Sequence, residues 1–247
     1  MKVENKTYWE DEIVIGTQDQ TVTSATKFEK FMFQEAKNRL QNANLTINNI
    51  NIFGCGTGRD INEVSKFFGD INIVASDISE NMIKKCNQNL LLWDLKNIKT
   101  TVSNATNIDF EKGKFEIVTI LNSMLTYVHN REERNQIFQN SYEMLKNKGV
   151  IIGAVHHQIG VPTKTLYFKL KSIFSIFLKG DVGHRYSGSK GFEVKTYYYT
   201  RDGLRKDLIN ANFKNIEIYS LEEYFASIGE KYDRYKGYNN LIFIASK

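Results

Sequence analysis

Proline and cysteine are almost missing from this chain of 247 residues, which has one proline, Pro162, and two cysteines, Cys55 and Cys86. Two thiols make neither a disulfide framework nor a Cys/His metal cluster, so no metal site is expected. No apolar run approaches the roughly 18 residues of a membrane span, and the opening MKVENKTYWEDE lacks the apolar core of a secretory signal. These absences argue against an integral membrane segment and favour the cytoplasm. Internal repeats, low-complexity tracts and linkers are also absent.

What is present is globular material: 41% apolar, 25% charged and 13% aromatic residues, enough to bury a core in one large domain. The net charge of +5 is uneven. Residues 155–206 carry ten Lys and Arg against three Asp and Glu, a surplus of seven positive charges, and the rest of the chain is slightly acidic. A local surplus of this kind is either a solvated face or an attraction for an anionic small molecule, an RNA or a membrane surface.

Hydrophobic periodicity predicts helices over residues 8–12 and 26–42, the second with Phe28, Phe31, Met32, Ala36 and Leu40 at near-helical spacing. Strand and helix then alternate. INNINIF, INIVAS, residues 99–103 and FEIVTIL read as strands, and residues 60–68 and 79–92 as helices. Asn130 and Glu133 form an N-x-x-E variant of the capping box for a further helix. That helix is expected to end near Lys148, with Gly149 as a left-handed cap before the strand VIIGAV. Strand and helix repeated in this way predict an α/β fold, a doubly wound parallel sheet with helices on both faces.

After His157 the pattern breaks. TLYFKLKSIFSIFLKG places Leu166, Leu170, Ile173, Phe174 and Phe177 on one helical face, and GDVGHRYSGSKG reads as a loop. A helix over 200–212 and the strands FKNIEIYS and NNLIFIASK close the chain, with antiparallel pairing expected for the last strand.

The sharpest local feature is NIFGCGTGRDINEV, in which Gly54, Gly56 and Gly58 recur at every second position between a strand and a helix. Glycines there let the backbone turn sharply and approach a ligand, and the next helix offers free N–H groups. The spacing G-x-G-x-G matches neither the dinucleotide fingerprint G-x-G-x-x-G nor the phosphate loop ending in G-K-[ST]. Asp77 ends the second strand, 23 positions after Gly54. That is where a carboxylate holds a ribose diol in doubly wound folds; an N-cap for the following helix is the plainer alternative.

With these residues in view, the chain resembles the class I S-adenosylmethionine-dependent methyltransferases. The resemblance rests on IFGCGTGRD, IVASDIS, VSNATNIDF, FEIVTILNSMLTYVHN and LKNKGVIIGAV, in order, and on a family-like YTRDGLRKDLINANF near the end. It implies a seven-stranded, mostly parallel Rossmann-like sheet with an antiparallel last strand, in one domain spanning 1–247. An N-terminal helical cap over 1–45 and a substrate-side insert over 158–199 go with it. It also implies S-adenosylmethionine as cofactor. Gly54, Cys55, Gly56 and Gly58 would line its methionine part, Asp77 would hold the ribose, and Ile78 and Met82 would pack near the adenine. Asn104 and Ala105 would meet the adenine edge, and Asn122 would close the methionine side. Asn104 departs from the Asp usual in the family, and its oxygen is expected to accept from the adenine amino group. Tyr8 and Trp9 resemble the aromatic segment that covers the cofactor in many relatives.

Methyl transfer from a sulfonium needs alignment and exclusion of water more than acid–base chemistry, so the sequence marks few catalytic groups. The candidates are polar residues at the carboxyl ends of the strands: Tyr127, His156 and His157, of which one histidine at most should face the pocket. The basic, aromatic insert suits a small anionic acceptor, methylated on O or N. An RNA acceptor and a non-catalytic cofactor-binding module are the other two readings.

Overall fold

The computed structural model describes residues 1–21, 24–176, 181–188, 191–233, 235 and 240–247. Phe177 of the expected apolar helix face and Asn239 of the closing strand lie outside the described residues.

Seven strands make the central sheet: β1 (Asn49–Phe53), β2 (Asn72–Asp77), β3 (Ile98–Val102), β4 (Phe115–Ile120), β5 (Leu145–His156), β6 (Lys214–Ser220) and β7 (Asn240–Ser246). Their spatial order is β3-β2-β1-β4-β5-β7-β6. β1 to β5 run parallel, with Ile50 opposite Ile73 and Ile117, and Ile117 opposite Val150. β7 runs antiparallel to both neighbours, with Leu241 opposite Val155 and Ser220. The fold is thus the mixed, doubly wound α/β sheet expected from the sequence.

Side-chain alternation along the strands explains why both faces need helices. Ile242 and Ile244 pack on one face with Ile50, Ile52, Ile73 and Ile152, under helices Lys27–Asn42, Arg59–Phe68 and Glu80–Leu92. Leu241, Phe243 and Ala245 point to the other, against Phe138 of helix Arg131–Met144 and Leu204 of helix Arg201–Asn210. Local signals set the helix starts: a full capping box joins Thr26 and Glu29, and Ser79 accepts from Met82 N–H. Asn130 accepts from the N–H groups of Glu132 and Glu133.

Three local expectations change. Helix Arg131–Met144 stops before Lys148 because Leu145 is already extended and pairs with Phe115. The left-handed residue is Lys148 (φ 66°) rather than Gly149; Gly149 is required instead because a Cβ there would lie 2.9 Å from the Lys146 carbonyl oxygen. Finally, part of the segment read as a loop forms strand His184–Ser187, which pairs with strand Glu193–Tyr197. The latter also pairs with Lys2–Val3, so a second, three-stranded sheet ties the N-terminal segment to the insert.

Candidate active site

A cavity of about 690 Å³ opens at the carboxyl ends of β1, β2 and β4, beside the point where the strand order reverses. Its floor is the turn after β1. Gly54 (φ 66°) has no room for a side chain, since a Cβ would lie 2.4 Å from Met124 Cγ. At Gly56 (φ 51°) a Cβ would meet nothing within 4 Å: the backbone is bare on the side that faces open space. Gly58 lies behind the turn, off the cavity lining, where a Cβ would press on Cys86 Sγ at 2.9 Å.

Asp77 organises this turn. Its carboxylate accepts from Gly56 N–H (2.9 Å) and Ser79 N–H (3.0 Å). Burial pushes the carboxyl above its ordinary range, and these backbone donors pull it back. On the far side, Asn122 donates from Nδ2 to Asp60 Oδ1 (2.7 Å). A carboxylate only accepts, so the contact fixes the amide with its oxygen free to face the cavity. Asp60 is itself held by Arg59, which also clamps Glu29. Burial pushes the Asp60 carboxyl up to about 6 against the pull of Arg59.

Ile78, Met82, Asn104 and Ala105 line the opposite end. The Asn104 oxygen accepts from Thr106 N–H (3.0 Å), which leaves its second lone pair and its NH₂ for a ligand. Cys55 lines the cavity as well, while its thiol turns to Cys86 in the core, and that contact and its burial raise its pKa well above the ordinary value.

The roof comes from the N-terminal segment. Helix Asn5–Glu10 docks on the start of helix Glu80–Leu92: Ser79 Oγ donates to the Trp9 carbonyl (2.9 Å), and the Glu10 carboxylate accepts from the N–H groups of Glu80 (2.8 Å) and Asn81 (3.2 Å). An acidic group at a helix N-terminus is favourable there. Trp9 lines the cavity and packs edge-to-face on Tyr127 with ring centroids 4.8 Å apart. Tyr8 is buried behind it, stacked on Tyr127 and off the lining.

The structure brings Gly54, Cys55, Gly56, Asp77, Ile78, Met82, Asn104, Ala105, Asn122 and Tyr127 together, whereas neither histidine at the end of β5 joins them. His156 shares a hydrogen bond with Asn240 Oδ1 (2.8 Å) and packs on Tyr198. His157 faces a separate cleft with Thr200 and Arg201. Burial pushes both imidazoles down to about 4, so both are neutral at pH 7. The structure adds a second half to the cavity, where Lys2, His129, Glu133, Tyr186 and Lys195 converge, and of which the sequence marked the basic, aromatic insert but not the contribution of Lys2. Lys2 Nζ lies 4.2 Å from the centre of the Tyr186 ring. The only hint in the sequence was the basic insert, because Lys2 arrives through a two-residue strand.

A doubly wound sheet whose glycine turn and acidic strand end share one cavity defines a nucleoside-cofactor-binding α/β protein. Residues 50–149 match the model of a family described as a methyltransferase domain. Over residues 50–149, which hold the glycine turn and Asp77, the chain is similar to S-adenosylmethionine-dependent methyltransferases. A search of the curated proteins returns no match. Among solved structures, the fold is similar to a SAM-dependent methyltransferase from Methanosarcina mazei (16% identity, 84% of this chain and 96% of that one, TM-score 0.63). A second is a phosphoethanolamine-type N-methyltransferase from Haemonchus contortus in complex with phosphomonomethylethanolamine and S-adenosylhomocysteine (14% identity, 99% and 61%, TM-score 0.65). A third is magnesium protoporphyrin IX methyltransferase from Synechocystis with bound SAH (14% identity, 98% and 97%, TM-score 0.60).

Proposed function

We propose that this enzyme methylates an O or N atom of a small anionic metabolite held in the Lys2–Lys195 half of the cavity. S-adenosylmethionine, when bound, supplies a methyl group already activated on a sulfonium. The chain's own residues fit that cofactor in order: Asn104 and Ala105 toward the base, Asp77 toward the ribose hydroxyls, and the bare Gly56 backbone and the Asn122 oxygen toward the methionine tail. Tyr127, Trp9 and the N-terminal helix exclude water and fix the approach of the acceptor.

The observation that carries the acceptor class is the convergence of Lys2 and Lys195, from segments far apart in the chain, on the cavity that also holds Gly56 and Asp77. Two ammonium groups beside Tyr186 would bind a phosphate or carboxylate. The phosphomonomethylethanolamine named for the Haemonchus protein also carries a phospho group. His129 sits on the same wall, and burial and Lys195 lower its pKa, so its neutral ring can take a proton from an O–H or N–H acceptor. A roof made by the N-terminal segment favours a small molecule over an RNA, which needs an open groove.

The test is methyl transfer from methyl-labelled S-adenosylmethionine to a panel of phosphorylated and carboxylated small molecules, run beside bulk tRNA. Label in one or more anionic small molecules is the expected result. Label in tRNA alone would overturn the acceptor assignment, and failure to bind S-adenosylhomocysteine would overturn methyl transfer to either acceptor.

A further inference from the structure

Helix Pro162–Ile173 and the turn Phe174–Ile176 after it carry an apolar stripe that faces outward. Leu166, Leu170, Ile173 and Phe174, spaced four, three and one apart, fall on one side, with Tyr167 at its margin. All five are exposed, Ile173 at 66% and Leu166 at 59%. Phe168 points the opposite way and is buried against Tyr198, so the helix is anchored by its other face and the stripe is not its core side.

Charge frames this stripe on both edges. Lys169 lies beside Ile173 and Leu166 by helical position and Lys171 lies beyond Tyr167, while Lys164 turns to the anchored face over the Tyr198 ring. The sequence has no Asp or Glu between Gln158 and Gly180. Arg185 lies 5.6 Å from the Tyr167 ring centre and extends the same basic rim. Exposed Leu, Ile and Phe bordered by lysines, on a helix with no acidic residue of its own and with Asp181 acting on Lys171 from outside it, is the pattern of a helix that lies in a bilayer interface. The basic rim selects anionic headgroups, since each lysine near such a surface gains by charge attraction.

We propose that this helix docks the enzyme on anionic lipid bilayers, with Leu166, Leu170, Ile173 and Phe174 in the headgroup–acyl boundary. The rim then includes strand His184–Ser187, held to the helix by Lys171 Nζ donating to the His184 carbonyl (2.6 Å). Tyr186 of that strand lines the catalytic cavity. Docking therefore sets the acceptor half of the cavity beside the lipid surface.

Sedimentation of the full chain with phosphatidylglycerol–phosphatidylcholine vesicles and with pure phosphatidylcholine vesicles tests this. Binding to the anionic vesicles, weakened by salt, is expected. The double variant Ile173→Asp/Phe174→Asp should lower the partition coefficient by about tenfold or more. Lys169→Glu should weaken binding independently, and both variants should keep the wild-type thermal midpoint and S-adenosylhomocysteine affinity. Failure of the wild type to bind anionic vesicles, or equal binding by the double variant, would overturn the proposal. So would a lipid-independent dimer that the double variant abolishes, which would assign the stripe to a second copy of the chain.

Discussion

Asp77 accepts the backbone N–H of Gly56 at 2.9 Å, joining the end of β2 to the turn that follows β1. One carboxylate thereby shapes the glycine turn and presents its remaining lone pairs to the cavity. The sequence marked both residues, 23 positions apart for Gly54 and Asp77, while the hydrogen bond between turn and acid is what makes them one device.

Replacing Asp77 with Ala should remove both functions. A hydrogen bond to a charged group contributes about 1.5–3 kcal/mol, so S-adenosylhomocysteine affinity should fall by roughly 10- to 100-fold. Asp77→Asn keeps one acceptor oxygen and should lose less. Calorimetric dissociation constants check both variants.

The glycines of the turn should separate by mechanism. Gly54→Ala drives a Cβ to 2.4 Å from Met124 Cγ, so it should lower stability beyond the roughly 1–2 kcal/mol of a left-handed alanine. Gly56→Ala meets no atom within 4 Å and should cost only that backbone strain. Urea unfolding of the two variants measures the difference.

Asp60 should give an unusual acid limb. Burial raises its folded pKa from 3.8 to about 6, so the folded chain takes up this proton before the unfolded chain does as pH falls. Its contribution to stability is therefore least above pH 6 and grows toward pH 4, opposite to a salt-bridged carboxylate whose pKa is depressed. Between about pH 7 and pH 4.5 the wild type should gain about 2 kcal/mol relative to Asp60→Asn. Unfolding free energies of both proteins across that range measure it.

Lys195→Gln should act on the acceptor alone. The acceptor KM should rise by roughly tenfold, the loss of one charge-assisted contact, while S-adenosylhomocysteine affinity stays unchanged. A rise in both constants would place Lys195 in the cofactor half instead. Steady-state kinetics with the labelled acceptor and calorimetry with the cofactor product separate the two outcomes.

The central sheet was legible because its signals are local. Strands from β1 to β7 read from apolar runs, the helix starts from Thr26, Ser79 and Asn130, and the floor of the cavity from GCGTG and Asp77. What stayed hidden depends on pairing across the chain. Lys2–Val3 is two residues long and gains its strand character only beside Glu193 and Val194. Hence Lys2 and Lys195 could not be joined from sequence. The surroundings of His156 and His157 depend on pairing in the same way: Asn240 and Tyr198 hold one ring, and the other lines a separate cleft.

The central claim is that the bare Gly56 side of this turn is where the cofactor lies. Calorimetric titration of the wild type and Gly56→Ala with S-adenosylhomocysteine tests it most directly. The expected result is saturable one-site binding by the wild type and a loss of about tenfold or more in the variant, which remains folded. Equal affinity in the two proteins, or no binding by the wild type, would contradict it.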